Sequence, residues 1–137
     1  FYQSSKVGSK RFISPNHIVH ADFRYHLRSY CHKDGAYKDF VIGRITEAEI
    51  ISTETHLDNW HEWRSDENDR DWHQIVELKY IINPELDDSM KKALSLDYIL
   101  DDNGILKLKC RKAVEQYLKY RYDMIDSRIG IKRWILI

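Results

Sequence analysis

The stretch FRYHLRSYCHKDGAYKDFVIGRI, residues 23–45, predicts two β-strands joined by a tight turn. Both halves are rich in residues that favour strands. Between them lies Asp34-Gly35, and this dipeptide between two strand-like runs is a strong hairpin signal. The first part of the chain is therefore expected to form around one antiparallel hairpin.

Basic residues occupy alternate positions of this hairpin. Arg24, His26 and Arg28 stand two apart, so a strand places their side chains on one face. Alternation also predicts that Lys38 and Arg44 share one side of the next strand, so that pairing of the two strands brings several cations to one patch. The pattern alone leaves two interpretations open: a solvated outer face, or a patch that holds an anionic partner.

The sequence around the hairpin also predicts short strands. FYQSS and KRFISPNHIVHA are β-prone runs that break at Gly8-Ser9 and at Pro15-Asn16, and EAEIISTETHL could form one more strand. Four or five short antiparallel strands within residues 1–57 predict a small β-barrel of the Sm or SH3 type, which closes its own edges. The predicted fold class is therefore mainly β in this part of the chain.

Charge is distributed unevenly along the 137 residues, although the formal net charge is zero. Residues 1–45 carry eight Lys/Arg against three Asp/Glu, residues 46–71 carry two against nine, and residues 72–137 carry twelve against ten. The basic first third suggests an anionic partner. The acidic stretch at residues 58–71 has no hydrophobic period, so we expect a linker and the domain boundary there.

The third segment, residues 72–137, predicts a β-α-β-β-α sandwich with helices on one face of an antiparallel sheet. WHQIVELKYII alternates with period two, and Asp87 or Asp88 can cap a helix through SMKKALSL that turns Met90, Ala93 and Leu94 inward. ILDDNGILKLKCR predicts a hairpin, and a second helix is expected at residues 112–124. The apolar tail GIKRWILI is expected to be buried, as a further strand or against a partner chain.

The sequence contains little evidence for a catalytic site. It contains none of the motifs GxSxG, HExxH, GxGxxG or the phosphate-binding P-loop. His17 and His20 would face opposite sides of a strand, and His56 and His61 match no zinc spacing. We therefore expect neither an enzyme nor a metal or cofactor. Cys31 and Cys110 fit no disulfide framework, and no signal peptide or long apolar run is evident, which favours a reduced, cytoplasmic protein away from membranes.

The order of these segments resembles the WYL-domain transcription regulators. Their sensor domain is an Sm-like barrel whose consensus is similar to RYHLRSYCHKDGAYKDFVIGRI, residues 24–45, and FYQSS and RFISPNHIV look like its upstream strands. The sequence from residue 72 to residue 120 is similar to the C-terminal extension of many WYL proteins, an α+β module tied to dimerisation.

The resemblance implies a basic ligand pocket and assigns residues to it. By position, the ligand-binding residues are Ser4, His17, His26, Arg28, Lys38 and Arg44. Of these, Arg28 and Arg44 are expected to hold phosphates. His26 and Lys38 depart from the consensus tyrosine and arginine, as Tyr25 does from tryptophan. Lys38 keeps the positive charge but loses the bidentate fork of arginine, and Tyr25 offers a smaller ring for stacking than tryptophan. Arg24 is expected on the surface and Tyr25 toward the barrel core.

Two functional hypotheses follow. In the first, the chain senses a nucleic-acid or nucleotide effector and forms a homodimer, thereby modulating operator-DNA binding by a winged helix-turn-helix expected before Phe1. In the second, the chain is a structural interaction module without a small ligand, and the basic row is ordinary solvated surface. The first predicts salt-sensitive binding of an oligonucleotide, and the second predicts dimerisation without any such ligand.

Overall fold

The computed structural model describes residues 2–4, 9–51 and 62–137, and of residues 2–4 it describes the backbone. The chain divides into two compact units, Phe1–Arg70 and Asp71–Ile137, each with its own sheets. Residues 62–70, which the sequence analysis assigns to the acidic linker, belong to the first unit. No helix in the described ranges is long and apolar enough to cross a lipid bilayer.

The first unit contains five described strands in two antiparallel sheets. The strands are β1 (Tyr2–Ser4), β2 (Ser9–Arg11), β3 (Ile13–Ala21), β4 (Arg24–Cys31) and β5 (Ala36–Val41). β1 pairs with β2, whereas β3, β4 and β5 form a three-stranded sheet in that order. A 3₁₀ turn, Ile42–Arg44, follows β5. The mainly β prediction is confirmed, but the described strands do not close into a barrel, so an Sm-like barrel stays a prediction.

The β3–β4 connection is a two-residue turn whose conformation matches a twisted hairpin. Asp22 and Phe23 have φ angles of 53° and 57°, the left-handed values of a type I′ turn. The predicted β4–β5 turn is confirmed at Gly35, which has φ 61° and donates its N–H to the carbonyl of Cys31. A left-handed residue is needed here, and glycine adopts that conformation without a Cβ clash.

The predicted break at Pro15-Asn16 is wrong. β3 runs through both residues, and the pairing with β4 shifts by one residue between Pro15 and His17, a β-bulge. A proline has no N–H to donate to the ladder, so a bulge is where a strand tolerates it. The strand therefore bends at this point instead of ending.

The second unit contains three α-helices, one 3₁₀ turn and five strands. They are α1 (Arg70–His73, which begins at the unit boundary), β6 (Ile75–Ile82), α2 (Asp88–Asp97), β7 (Ile105–Arg111), a 3₁₀ turn (Lys112–Val114), α3 (Glu115–Tyr122), β8 (Ile125–Asp126), β9 (Ile131–Lys132) and β10 (Trp134–Leu136). β10, β6 and β7 form an antiparallel sheet in that order, and β8 pairs with β9.

Most predictions for the second unit are confirmed. Leu78 and Tyr80 of β6 are buried together with Leu94 of α2, in a core that also holds Leu86, Leu106 and Trp134. The side chain of Asp87 caps α2 by accepting a hydrogen bond of 2.7 Å from the N–H of Met90. The apolar C-terminal tail forms β10, which pairs with β6. This confirms the expectation of a further strand.

Three details of the second unit differ from the predictions. The alternating strand predicted from Trp72 begins only at Ile75, because Trp72 and His73 lie in α1. Ala93 is exposed, because α2 turns only one narrow side, with Met90 and Leu94, to the core. DDNG forms a turn with Gly104 at φ 76°, but the residues before it are not a strand, so no hairpin forms there. β7 instead pairs with β6.

Tyr80 lies at the centre of this core with its side chain fully buried. Its ring stacks on Tyr122 at 5.1 Å between centroids, yet its hydroxyl has no hydrogen-bond partner among the described residues. Burial, followed by the negative charge of Asp123, raises the pKa of Tyr80 to about 12. The hydroxyl therefore stays protonated and is desolvated without compensation.

We predict that Tyr80→Phe leaves the free energy of unfolding of the second unit unchanged or raises it by about 1 kcal/mol, because it removes an unsatisfied polar group and keeps the ring. The folded-state pKa is raised, so the contribution of Tyr80 to stability is complete below pH 10. This contribution is lost as pH rises from 10 toward 12. The free energy of unfolding of Tyr80→Phe should therefore fall less over the same pH range. Urea unfolding at pH 8 and pH 11 measures both effects, and a stability loss above 1 kcal/mol at pH 8 would contradict the prediction.

Candidate functional site

The candidate site lies on one face of the β3–β4–β5 sheet. His17 is paired with Arg28 across β3 and β4, and Arg28 with Asp39 across β4 and β5. Directly opposite residues share a face of an antiparallel sheet. The three side chains therefore form one row across the sheet. Tyr30 of β4 and Tyr37 of β5 form the next row toward the β4–β5 turn.

Arg28 is buried on this face and forms three hydrogen bonds to carboxylates. Its Nε and Nη2 donate to the two carboxylate oxygens of Asp69 at 2.8 and 2.7 Å, and its Nη1 donates to Asp39 at 3.3 Å. The side chains of Arg28 and Asp69 are 8% and 2% exposed. Asp69 thus receives both prongs of the guanidinium fork, the strongest geometry available to this pair.

The electrostatics of Arg28 follow from its two acidic neighbours. Burial by itself lowers the pKa of a guanidinium, whereas the hydrogen bond to Asp69 and the charges of Asp39 and Asp69 raise the pKa of Arg28. The net direction is upward, so Arg28 stays positively charged inside the protein. A buried cation of this kind requires an anion beside it in every state that the folded unit adopts.

The partner Asp69 belongs to a segment that crosses this face of the sheet. We call residues 63–69, of sequence WRSDEND, the acidic strap. Within it, Asp66–Asn68 form a 3₁₀ turn, which Ser65 caps by accepting from the N–H of Glu67 at 3.3 Å. A 3₁₀ turn has three residues per turn, so Asp66 and Asp69 project toward the same side. The strap therefore presents two carboxylates to the sheet.

Both carboxylates contact basic residues in neighbouring strands. The carboxylate of Asp66 contacts Nε2 of His17, and Asp69 contacts Arg28. Because His17 and Arg28 are cross-strand neighbours, the two carboxylates bind adjacent side chains of a single row. The strap thus occupies two of the residues that the family resemblance assigns to a ligand.

Four further hydrogen bonds, three to the strap backbone and one from its Trp63 side chain, hold the strap on β3 and β5. Its N–H at Arg64 donates to Oγ of Ser14 at 2.9 Å, and its carbonyl at the same residue accepts from the amide of Asn16 at 3.2 Å. Trp63 donates to the carbonyl of Pro15 at 3.3 Å, and the hydroxyl of Tyr37 donates to the carbonyl of Ser65. The bulge in β3 therefore lies where the strap begins.

A cation–π contact completes the covered face. The guanidinium of Arg64 lies 4.7 Å from the centre of the Tyr30 ring. Tyr30 and Tyr37 meet edge to face at 5.1 Å, so the planar guanidinium covers one ring of an aromatic pair. The face thus combines Arg28 and His17 with an aromatic surface, and the strap contacts both.

The six predicted ligand residues do not converge on one patch. The structure brings His17 and Arg28 together. His26 lies two residues before Arg28, on the same side of β4. His26, however, is 1% exposed and its Nε2 lies 3.1 Å from the carbonyl of Ala21, so it holds the β3–β4 turn. Arg44 is exposed in the 3₁₀ turn after β5. The side chain of Ser4 lies outside the described residues.

The placement of Lys38 beside Arg28 is wrong. Lys38 is paired with Ser29, which points to the opposite face of the sheet from Arg28. It forms an ion pair with Asp34, and this contact, with a second from Arg11, lowers the pKa of Asp34 to about 2. The residue that occupies the expected position beside Arg28 is Asp39.

Tyr25 lies on the same side of β4 as Leu27 and Cys31, as alternation predicts, but its expected burial in the core is wrong, whereas the surface position of Arg24 agrees with the structure. Tyr25 is 59% exposed, and its ring lies 4.8 Å from that of His20. The hairpin tip extends beyond the small core of Cys31 and Phe40, so the inner side of β4 reaches solvent there. Arg24 forms a half-exposed ion pair with Asp22 at 3.3 Å.

In the part of the chain that the structure describes, no three His, Cys, Asp or Glu side chains are placed to hold an ion. His56 and His61, which the sequence analysis weighed as ligands, lie outside that part.

Asp69→Ala is predicted to lower the free energy of unfolding of the first unit by about 3 kcal/mol, because it leaves a buried guanidinium with a single carboxylate. Glu67→Ala is the matched control: Glu67 is an exposed acid of the same strap, and its loss should change stability by less than about 0.5 kcal/mol. Hydrogen exchange of the β4 amides reports on the first unit alone. Equal effects of the two substitutions would contradict the role of the Arg28–Asp69 pair.

Comparison with known proteins gives matches to both units. Residues 1–50 match the WYL domain, and residues 75–128 match the C-terminal dimerization domain of the BrxR transcriptional regulator. Proteins named DNA-binding transcriptional repressor CapW are similar: one from Escherichia coli (strain KTE188) is 30% identical over 91% of this chain and 39% of its own length. One from Pseudomonas aeruginosa is 30% identical over 93% of this chain and 40% of its own length. The chain thus spans about two fifths of these curated relatives.

Proposed function

The chain belongs to the WYL-domain transcriptional regulators with a BrxR-type C-terminal dimerization domain, and on this basis we propose that its first unit senses an anionic nucleic-acid or nucleotide effector. Effector binding at the basic row then alters a homodimer held by the second unit. In the whole protein this change modulates binding of operator DNA by a further domain, in line with the name of the CapW relatives. The chain is a regulator and not an enzyme.

The observation that carries this proposal is the geometry of Arg28. Its fork binds the two oxygens of one carboxylate, and phosphate offers oxygens in the same arrangement. His17 lies beside it in the row, where it can donate to a second anionic group. Tyr30 and Tyr37 provide aromatic faces on which a base can stack. An anion-binding guanidinium, a hydrogen-bond donor and an aromatic face thus lie on one surface.

The remaining predicted residues take different roles in this proposal. His26 positions the β3–β4 hairpin, and Arg44 attracts the ligand from the exposed turn after β5. Lys38 stabilises the β4–β5 turn through its ion pair with Asp34 and takes no part in binding. Ser4 completes the site as the family resemblance implies. An Sm-like barrel, formed by β1–β5 with the strand expected after residue 45, supports this arrangement.

Titration of the 137-residue chain with a fluorescein-labelled ten-thymidine strand tests the proposal by fluorescence polarisation. Two phosphate contacts predict a slope of about −1.4 in a plot of log K against log salt. Arg28→Lys keeps the charge but loses the fork, and it should weaken binding about 10-fold. Arg24→Lys makes the same change at the surface and should alter affinity less than 2-fold. Equal affinity for Arg28→Lys and the unsubstituted chain would exclude this site.

A second function is favoured by one observation: Asp69 and Asp39 already satisfy the hydrogen-bonding groups of Arg28. In that case the first unit is an interaction module without a small ligand, and the pair is purely structural. Thermal unfolding discriminates the two functions, because a ligand that binds the folded state alone raises Tm progressively as the ligand concentration increases above Kd. The interaction module predicts no rise with any nucleotide or oligonucleotide.

The second unit is predicted to dimerise irrespective of the ligand. Sedimentation equilibrium should give twice the chain mass of 16.5 kDa, both with and without the ten-thymidine strand. Arg28→Lys should leave the mass unchanged, because Arg28 lies in the first unit. A monomer at micromolar concentration would contradict dimerisation through this chain.

A further inference from the structure

We propose that the acidic strap is an internal substitute for the effector, and that the effector is a short single-stranded nucleic acid with two consecutive phosphates that displaces it. This inference rests on the proposed function and adds the ligand class and the regulation of the same site. Its basis is the correspondence between the groups of the strap and those of such a ligand.

The first correspondence is between carboxylates and phosphates. Asp66 and Asp69 bind His17 and Arg28, which are neighbours in one cross-strand row. Cross-strand neighbours have Cβ atoms about 5 Å apart, so a ligand needs two anionic groups on one short backbone to replace both carboxylates. Consecutive phosphates of a nucleic-acid strand meet this condition. A mononucleotide with a single phosphate replaces only one of them.

The second correspondence is between a planar guanidinium and a base. Arg64 covers the Tyr30 ring at 4.7 Å, and it directly precedes the acidic part of the strap. Bases stack on tyrosine rings in the same way as a guanidinium plane does. A nucleotide whose phosphates replace Asp66 and Asp69 can therefore place its base on Tyr30 where Arg64 now lies.

Exchange of one anion for another also explains how a buried pair can open. Loss of Asp69 alone would leave Arg28 with one carboxylate in a buried site, which is strongly unfavourable. A phosphate that enters as the carboxylate leaves keeps the guanidinium paired throughout. A neutral ligand cannot do this, so the strap excludes uncharged compounds from the site.

The strap is suited to movement, because most of it is exposed. Trp63, Arg64, Glu67 and Asn68 are exposed, and Asp69 is its buried residue. Segments with few buried apolar contacts open at low free-energy cost. The chain continues from Asp69 directly into α1, whose Trp72 is held by Arg111 through a hydrogen bond of 2.7 Å and a cation–π contact of 4.3 Å.

Polarisation titrations with fluorescein-labelled pTpT, which has two phosphates, test this inference on the 137-residue chain. The double substitution Asp66→Asn with Asp69→Asn keeps the size of the strap but removes its two charges. We expect it to bind pTpT at least 10-fold more tightly than the unsubstituted chain, because the internal competitor is weakened. Glu67→Gln removes an exposed charge of the same strap and should change affinity less than 2-fold.

Asp66→Asn alone leaves the buried Asp69 in place and is the second variant in case the double variant does not fold. It should raise the affinity for pTpT about 3-fold and leave that for fluorescein-labelled thymidine monophosphate, which has one phosphate, at most 2-fold changed. In hydrogen exchange of the unsubstituted chain, saturation with pTpT should speed exchange at the amides of Arg64 and Asp69, which donate to Ser14 and to the Asp66 carbonyl.

The remaining outcomes would contradict either the inference alone or the proposed function as well. If the unsubstituted chain binds pTpT but the folded strap variants bind no more tightly than Glu67→Gln, the inference is wrong and the proposed function stands. Unchanged or slower exchange of Arg64 and Asp69 with bound pTpT would likewise overturn the inference alone. If neither the unsubstituted chain nor any strap variant binds pTpT or the ten-thymidine strand, the proposed function is wrong and the inference falls with it.

Discussion

The first unit depends on a buried ion pair between Arg28 and Asp69, residues that lie 41 positions apart in the chain. A guanidinium that is 8% exposed cannot be left without a carboxylate, since the cost of an unpaired buried charge is several kcal/mol. This constraint fixes the position of the acidic strap on the sheet. The contacts of Trp63, Arg64 and Ser65 with β3 and β5 then follow along the same path.

The ion pair also explains why both faces of β4 are covered. Cys31 belongs to the apolar face, where it packs with Phe40, whereas Arg28 belongs to the polar face under the strap. Ser29, next to Arg28, is fully buried on the apolar side. A strand with one solvated face alternates buried and exposed positions, but β4 has two buried neighbours because the strap replaces solvent. Burial of charge here is therefore a consequence of the strap.

Much of this fold could be predicted from local sequence. The hairpin at Gly35, the alternation of Leu78 and Tyr80, and the cap at Asp87 depend on a few adjacent residues, and each is confirmed. The error at Lys38 arose because alternation within a strand does not give its register with the next one. Once the turn is placed at residues 32–35, pairing of Cys31 with Ala36 puts Asp39 beside Arg28.

The strap could not be predicted in the same way, because it is held by contacts between distant residues and not by a periodic pattern. The sequence does contain a signal for it: a basic first third followed by an acidic stretch of nearly matching charge. That signal is compatible with a solvated linker as well as with an intramolecular ion pair. Only Ser65, which caps the short turn that orients Asp66 and Asp69, distinguishes a structured segment from a linker.

The two units therefore differ in the interaction on which each depends. The second unit buries leucine, tyrosine and tryptophan side chains against one another, and its core is insensitive to the chemistry of a ligand. The first unit has a small apolar cluster and relies in addition on a buried pair of opposite charges. Where the apolar packing of the first unit is small, the acidic strap is thus held by charge complementarity with β4, and loss of Asp69 would leave Arg28 with a single carboxylate.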